Sequence, residues 1–175
     1  MEIIPINSFY IKTKIKQHKK IKTNLLNLID KEKIKNDVTD LNIHKTSFTN
    51  KPFKSNKIIE YLWTYIKDEI KKVCDFLQTD NLYVSNAWFQ QYTKNNFHTW
   101  HCHGTTMLNA IYFLELPNKK YATQIKDSFG KIVKPDVEEG DMIFLNSNTL
   151  HRSPINKSNK RKSIIAFNLN EKILK

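Results

Sequence analysis

The spacing of apolar residues divides the chain into a helical first part and a strand-rich second part. Apolar residues recur three and four positions apart in residues 18–36 and in residues 56–78, which predicts two amphipathic helices. From residue 82 the pattern changes to short β-branched and aromatic runs bounded by turn residues, which predicts strands. These predicted strands cover residues 82–92, 98–103, 107–116, 141–145 and 162–169.

The remaining segments fit one domain that spans residues 1–175. We predict a short strand over residues 3–12, a loop over residues 38–55, and a mobile loop or weak hairpin over residues 118–136. The second half then forms an antiparallel barrel or sandwich, and the helices of the first half cover it.

Composition and charge change this picture little. The formal net charge is +12, which suggests an anionic partner, but the lysines are spread along the whole chain and Arg152 and Arg161 are the only arginines. Codon bias explains the lysine, asparagine and isoleucine content, so nucleic acid is a disfavoured partner. No apolar stretch approaches the length of a membrane helix, and Cys74 is expected to be a buried free thiol. Nothing in the pattern indicates an oligomeric state.

The histidines carry the most specific chemical signal. His101 and His103 stand two apart on a predicted strand, so their side chains share a face, and His151 follows a second predicted strand. Three imidazoles from two strands make a facial set of metal ligands with open positions, as a catalytic non-haem iron site requires. His98 shares the opposite face with Trp100 and Cys102 and is left out of this set. His18 and His44 lie in lysine-rich surroundings and are expected to be satisfied core or surface residues, not metal ligands.

A basic residue accompanies the histidines. If residues 162–169 return antiparallel to residues 141–145, Arg161 and Ser163 point to one face of that strand as it passes the metal. A guanidinium at that place suits a dicarboxylate whose other end chelates the metal. The alternative is that Arg161 merely belongs to the basic turn of residues 157–162.

These residues together resemble the 2-oxoglutarate- and Fe(II)-dependent oxygenases of the prolyl-hydroxylase-like branch. The chain is most similar to a group of small oxygenases from marine bacteria and phages. The resemblance rests on the run HCHGTTMLNAIYFL at 101–114, Gly140-Asp141, FLNS at 144–147, His151, Arg161-x-Ser163, Phe167-Asn168, and Tyr92 nine residues before His101. It departs from that pattern at Gly104, at Asn109-Ala110, at Phe113 and, most importantly, at His103, where the wider superfamily has a carboxylate.

The resemblance implies a mostly β, α+β fold: a double-stranded β-helix, or jelly roll, flanked by N-terminal helices. Residues 1–80 would form the N-terminal strand and supporting helices, and residues 81–175 the catalytic core. The implied cofactors are Fe(II), 2-oxoglutarate and O2, with ascorbate as a further candidate. The implied reaction is hydroxylation of a C–H bond coupled to decarboxylation of 2-oxoglutarate to succinate. The primary substrate is unidentified, with a prolyl or other protein residue as the family's expectation, and the implied location is the cytoplasm of a bacterium or an infected host cell.

The implied site residues follow from the same resemblance. His101, His103 and His151 would hold the iron and be catalytic. Arg161 would bind the distal carboxylate of 2-oxoglutarate with help from Ser163 and Tyr92. Tyr112 and Trp100 are candidates to line the pocket, with core packing as the alternative for both.

Three alternatives remain open. The third metal position could be held by water, or by a carboxylate such as Asp127 or Asp141, in place of His103. The enzyme could be a three-histidine cupin of the thiol-dioxygenase kind, although residues 104–110 lack that barrel's glutamate. The chain could also be a non-catalytic basic module that binds nucleic acid.

Overall fold

The computed structural model describes residues 8–32, 42–48, 57–80 and 82–171. Two helices and ten strands make up this part of the chain. The helices are α1, His18–Lys31, and α2, Lys57–Leu77. The strands are β1, Tyr10–Lys14; β2, Lys45–Thr46; β3, Leu82–Tyr92; β4, His98–His101; β5, Leu108–Glu115; β6, Gln124–Lys126; β7, Ile132–Val133; β8, Asp141–Asn146; β9, His151–Ser153; and β10, Lys162–Glu171.

The strands form two antiparallel sheets. The larger sheet has the order β1-β8-β5-β10-β3-β2, and the smaller has the order β4-β9-β6-β7. An apolar cluster that includes Tyr92, Phe113, Ile125, Ile143 and Ile164 lies between the two sheets. The predicted fold class, a mostly β jelly roll with N-terminal helices, is therefore confirmed.

The helices cover the outer face of the larger sheet because each carries one apolar stripe. Ile21, Leu25 and Ile29 of α1 and the α2 residues at matching spacing are buried. They belong to one cluster with Phe89 and Phe167, which project from the helix side of the sheet. The central strands are therefore buried on both faces, so alternate residues of one strand enter different environments.

Several boundaries differ from those predicted. Strand β10 pairs with β3 and β5, whereas the sequence suggested β8 as its neighbour. Strand β4 ends at His101, before His103, and residues 118–136 contain a short 3-10 turn followed by the β6–β7 hairpin. Strand β2 lies in the segment predicted as a loop. Residues 3–7, 33–36, 38–41 and 49–56 of the predicted elements lie outside the described residues. Within the described part, neither helix is both long and apolar enough to span a bilayer.

Gly140, in the turn before β8, lets α1 approach the sheet closely. Its φ is +92°, and a β-carbon there would lie 2.9 Å from Cγ of His18. Any other residue would therefore be strained and would displace the histidine. This contact holds the first turn of α1 against the outer face of β5.

Candidate metal centre

Two neighbouring strands bring the three predicted histidines together. His101, the last residue of β4, pairs directly with His151, the first residue of β9. His103 follows two residues later, and its backbone N–H donates to the Ser147 carbonyl at 2.9 Å. One nitrogen from each of the three rings lies within 4.8 Å of the other two, which is close enough for a single ion. Within the described residues, no aspartate or glutamate belongs to this cluster.

Backbone carbonyls fix the tautomer of two of these rings. Nδ1 of His101 lies 2.9 Å from the Thr99 carbonyl, and Nδ1 of His151 lies 2.9 Å from the Thr149 carbonyl. A carbonyl only accepts, so each Nδ1 carries the proton and each Nε2 presents a free lone pair. His103 is held differently, between the Trp88 ring at 5.3 Å and the His151 ring at 5.3 Å between centroids.

Burial keeps the three imidazoles neutral at physiological pH. It lowers the pKa of His151 to about 3, with a further contribution from the neighbouring histidines. Burial and His101 lower the pKa of His103 to about 4, and burial lowers the pKa of His101. Because only the neutral ring binds a metal, the cluster is already in its ligand form at pH 7.

His98 stands beside this cluster, contrary to its predicted orientation. Its ring centroid lies 4.0 Å from that of His101, and it lines the same cavity. The reason is a β-bulge: His98 pairs with Ser153 and His101 pairs with His151, so β4 has one extra residue and its alternation shifts. Burial and the rings of His101 and His103 lower the pKa of His98 to about 4.

The histidines face a cavity between the two sheets. The cavity holds about 360 Å³ of space not filled by protein atoms, part of it open to solvent. Its other walls come from alternate residues of β3, β5 and β10, among them Trp88, Gln90, Tyr92, Asn109, Ile111, Ile164 and Ala166. Asn109 is 3% exposed, and its Nδ2 has no hydrogen-bond partner among the described residues. A buried amide donor without an acceptor is rare in folded proteins and suggests a ligand atom at that place.

Lys162 is a buried cation beside this cavity that sequence reasoning missed. Its side chain donates to the Tyr121 carbonyl at 2.7 Å and to Ser153 Oγ at 2.8 Å, and Nζ lies 5.1 Å from the centre of the Tyr92 ring. Burial lowers its pKa to about 7. The sequence does distinguish Lys162 from the other lysines, because it lies in an apolar strand in phase with Ile164 and Ala166.

Arg161 and Ser163 point away from the histidines. The Arg161 guanidinium binds Glu115 through Nε at 2.7 Å and through Nη2 at 3.2 Å. Ser163 donates to the same carboxylate and accepts from Gln91 Nε2 at 3.2 Å. The physical reason is the pairing of β10 with β3 and β5, which turns Ser163 to the helix side and Lys162 to the cavity side.

Of the two predicted tyrosines, only Tyr92 lines the cavity. Its hydroxyl donates to Gln90 Oε1 at 2.7 Å. Tyr112 faces the helices instead, where its hydroxyl lies 2.6 Å from Nδ1 of His18. His18 is accordingly a partly buried residue of a hydrogen-bond network and lies outside the histidine cluster, which agrees with its predicted structural role.

The other candidates also lie away from the cluster. Trp100 projects to the outer side of the smaller sheet, between the side chains of Lys126 and Arg152. Cys74 is a buried free thiol, as predicted. Oδ1 of Asp127 accepts two backbone N–H groups in the β6–β7 turn, and Oδ2 of Asp141 accepts that of Glu138, so neither carboxylate approaches the histidines.

Comparisons with known proteins support the fold. No protein-family profile and no curated protein matches the sequence. Solved structures do match. A collagen prolyl hydroxylase from Paramecium bursaria Chlorella virus-1, solved with 2-oxoglutarate, is 14% identical over 93% of this chain and 96% of its own, with a TM-score of 0.65. A Pseudomonas putida prolyl-4-hydroxylase is 11% identical over 93% of each chain, with a TM-score of 0.61. The carbocyclase SnoK from nogalamycin biosynthesis, described as α-ketoglutarate-dependent, is 12% identical over 93% of this chain and 79% of its own, with a TM-score of 0.68. At these identities the likeness establishes a shared fold, and the suggested grouping with marine bacteria and phages stays a prediction.

Proposed function

We propose that this protein is a non-haem Fe(II)- and 2-oxoglutarate-dependent oxygenase that hydroxylates a C–H bond. The observation that carries the proposal is the convergence of three neutral imidazoles, with ligand atoms within 4.8 Å of one another, on a cavity inside a jelly roll. The similar structures include enzymes described as prolyl hydroxylases and as an α-ketoglutarate-dependent carbocyclase.

The donor set fits a catalytic divalent metal. His101, His103 and His151 would hold it through nitrogen and leave the cavity side open for other ligands. Three neutral ligands leave both positive charges of a divalent metal ion uncompensated, whereas the common set of two histidines and one carboxylate offsets one of these charges. This extra positive charge favours a dianionic cosubstrate such as 2-oxoglutarate.

Lys162 is the proposed anchor for the distal carboxylate of that cosubstrate, in place of Arg161. A buried ammonium needs an anionic partner to offset its lost hydration, and no aspartate or glutamate among the described residues lies within ion-pair distance of it. Two of its three donors are used, by Tyr121 and Ser153, so one remains. The Ser153 hydroxyl and Tyr92 lie between it and the cavity and would complete the carboxylate site.

In this scheme the protein binds and orients. Iron, when bound, supplies the redox chemistry that couples O2 and 2-oxoglutarate decarboxylation to hydroxylation. Thr99 and Thr149 hold the imidazoles in the ligating tautomer, and Lys162 fixes the far end of the cosubstrate. Tight apolar walls, Ile111, Ile164 and Ala166, exclude water from the space between these groups. The similar structures described as prolyl hydroxylases suggest a prolyl or other protein residue as one substrate class.

The decisive experiment is anaerobic titration with Fe(II) and 2-oxoglutarate, followed by exposure to O2 and measurement of labelled succinate. We expect a charge-transfer absorption band that needs both additions, and succinate that needs iron. A three-histidine cupin of the thiol-dioxygenase kind is the second candidate, because the cluster has no carboxylate among the described residues. That enzyme would bind iron, show no band with 2-oxoglutarate, and form no succinate.

A further inference from the structure

A second cleft adjoins the histidine cavity at the edge of the smaller sheet. It holds about 840 Å³ of space not filled by protein atoms, part of it open to solvent. Its lining contains no aspartate or glutamate. It combines apolar and cationic side chains, among them Phe97, Trp100, Pro154, Ile155, Arg152 and Lys157. His98, Arg152 and Ser153 also line the histidine cavity, so the two spaces share a wall.

Arg152 is the central cation of this cleft, and its orientation is fixed. It lies between His151 and Ser153, so its side chain projects to the outer side of the strand. Nε donates to Gln124 Oε1 at 2.8 Å, and the guanidinium carbon lies 4.5 Å from the centre of the Trp100 ring. Lys126 Nζ lies 5.0 Å from the same ring, so the indole holds two cations close together.

The cations of this cleft have no acidic partner among the described residues. Among the described residues, Arg161 pairs with Glu115, whereas no carboxylate lies within ion-pair distance of Arg152 or Lys157. A guanidinium has five N–H donors, and Arg152 uses the one on Nε. Its terminal nitrogens have no acceptor in the described part of the chain, and their planar fork matches a carboxylate or a phosphate.

We infer that this cleft binds the anionic group, carboxylate or phosphate, of a small organic molecule with an apolar body, and that Arg152 is the principal contact. The apolar walls take the body, and the fixed fork takes the charge. Because the cleft shares His98 with the metal cavity, and the His98 ring lies 4.0 Å from that of His101, the molecule is placed as the primary substrate. This last step rests on the proposed function.

Calorimetric titration of the metal-free protein, without 2-oxoglutarate, tests the cleft directly. The probes are phenyl phosphate and benzoate, which separate the two anion types, and benzyl alcohol as the neutral counterpart. We expect one or both anions to bind and benzyl alcohol not to bind. Arg152→Gln should weaken anion binding by about tenfold or more, as loss of a charge-assisted hydrogen bond predicts. Arg152→Lys should recover only part of it, because it keeps the charge and loses the fork.

The matched control is Lys67→Gln, which removes one positive charge from an exposed position on α2. Equal weakening by Lys67→Gln and Arg152→Gln would mean that the anions follow overall charge, and would overturn the inference. Failure of the wild-type protein to bind either anion would overturn it too. Should Arg152→Gln not fold, Lys157→Gln, at an exposed cleft position, must weaken binding for the inference to stand. Since binding here needs no iron, Arg152-dependent binding without succinate production would reject the oxygenase assignment alone.

Discussion

Two polar clusters lie on opposite faces of the larger sheet, and they differ in how completely their groups are paired. On the helix side, the Tyr112 hydroxyl lies 2.6 Å from His18 Nδ1, and His18 Nε2 lies 3.2 Å from Glu139. Glu139 also accepts from Lys22 and from the Leu116 N–H. Burial raises the pKa of Glu139, but these three hydrogen bonds outweigh it and lower the pKa overall. Every polar group in this network has a partner.

The cavity side is different, because its polar groups are held in place but lack some of their hydrogen-bond or ionic partners. His101 and His151 use Nδ1 for hydrogen bonds to carbonyls and keep Nε2 free. Lys162 has a spare donor without a carboxylate among the described residues, and the Nδ2 donor of Asn109 has no acceptor there. Since an unpaired buried polar group costs about 1–3 kcal/mol, a fold that retains several in one cavity is organised for a ligand. The paired network, by contrast, attaches α1 to the sheet.

The largest expected effect separates the two histidine environments. His151→Ala should lower the affinity for Fe(II) by more than about 100-fold, because loss of a ligand exceeds the 10–100-fold cost of losing its orienting partners. His18→Ala should leave Fe(II) affinity unchanged while it lowers the free energy of unfolding. Metal titration and thermal unfolding of both variants would measure this. Equal loss of iron binding in the two variants would contradict the metal site.

The next effect separates the two cations at the start of β10. Lys162→Met should raise the apparent Kd for 2-oxoglutarate by about 10–100-fold, as expected for a hydrogen bond between charged groups worth about 1.5–3 kcal/mol. Arg161→Met should change that Kd little, because Arg161 is paired with Glu115 on the other side. Steady-state succinate formation at graded 2-oxoglutarate would measure both. The opposite ranking would restore the sequence-based assignment of Arg161.

The residues around the cavity also show what the sequence could and could not predict. The three histidines were identified from a His-x-His pair and a third histidine after a predicted strand. The pair converges although β4 ends at His101, because the His103 N–H is held by the Ser147 carbonyl beside β9. Whether Arg161 or Lys162 serves the cavity depends on which strands flank β10, and the whole topology sets that pairing. His98 was misplaced for a related reason: the bulge in β4 is a feature of strand pairing and leaves no mark in the local pattern.

The helices and the long strands were predictable because their apolar periodicity is strong. Strands β6, β7 and β9 have two or three residues each, too few to show a period, and form through pairing with neighbours. The sequence could not show which of Tyr112 and Phe113 faces the cavity side, because both faces of β5 are buried. In such a strand the alternation of apolar and polar residues is lost, and the direction of each side chain is set by register.

The pH dependence of 2-oxoglutarate binding offers a test of Lys162 that needs no substitution. Burial lowers its pKa from 10.5 to about 7, so the free protein loses the ammonium as pH rises through 7. A bound carboxylate requires the charged form, and the apparent Kd should therefore rise by up to about tenfold per pH unit above 7. Lys162→Met should abolish this slope between pH 7 and 9. In the ligand-free protein the same group binds fewer protons than in the unfolded chain above pH 7, so its contribution to stability should increase with pH.

A smaller effect concerns the paired network. Tyr112→Phe removes the partner of His18 Nδ1 within the described network, which should lower the free energy of unfolding by about 1–3 kcal/mol and leave Fe(II) affinity unchanged. Tyr83→Phe, at a position 47% exposed on β3, is the matched control and should cost little. Denaturant unfolding would measure both variants. A clear loss of iron binding in Tyr112→Phe would place this tyrosine in the site, as the resemblance first implied.

The smallest effect has the opposite sign and tests whether Asn109 is kept for a ligand. Asn109→Leu replaces an unpartnered amide with an apolar side chain of similar size and gives up a 3.3 Å contact with Thr106. The free energy of unfolding of the ligand-free protein should therefore rise by about 1 kcal/mol, while 2-oxoglutarate turnover falls. Asn86→Leu, at an exposed position of the same cross-strand row, should change neither quantity much. Asn168, the Cα neighbour of Asn109 on β10, has an unpartnered Oδ1. A drop in stability on Asn109→Leu would mean that the two amides bond to each other in solution, and Asn109 would then belong with the structural network.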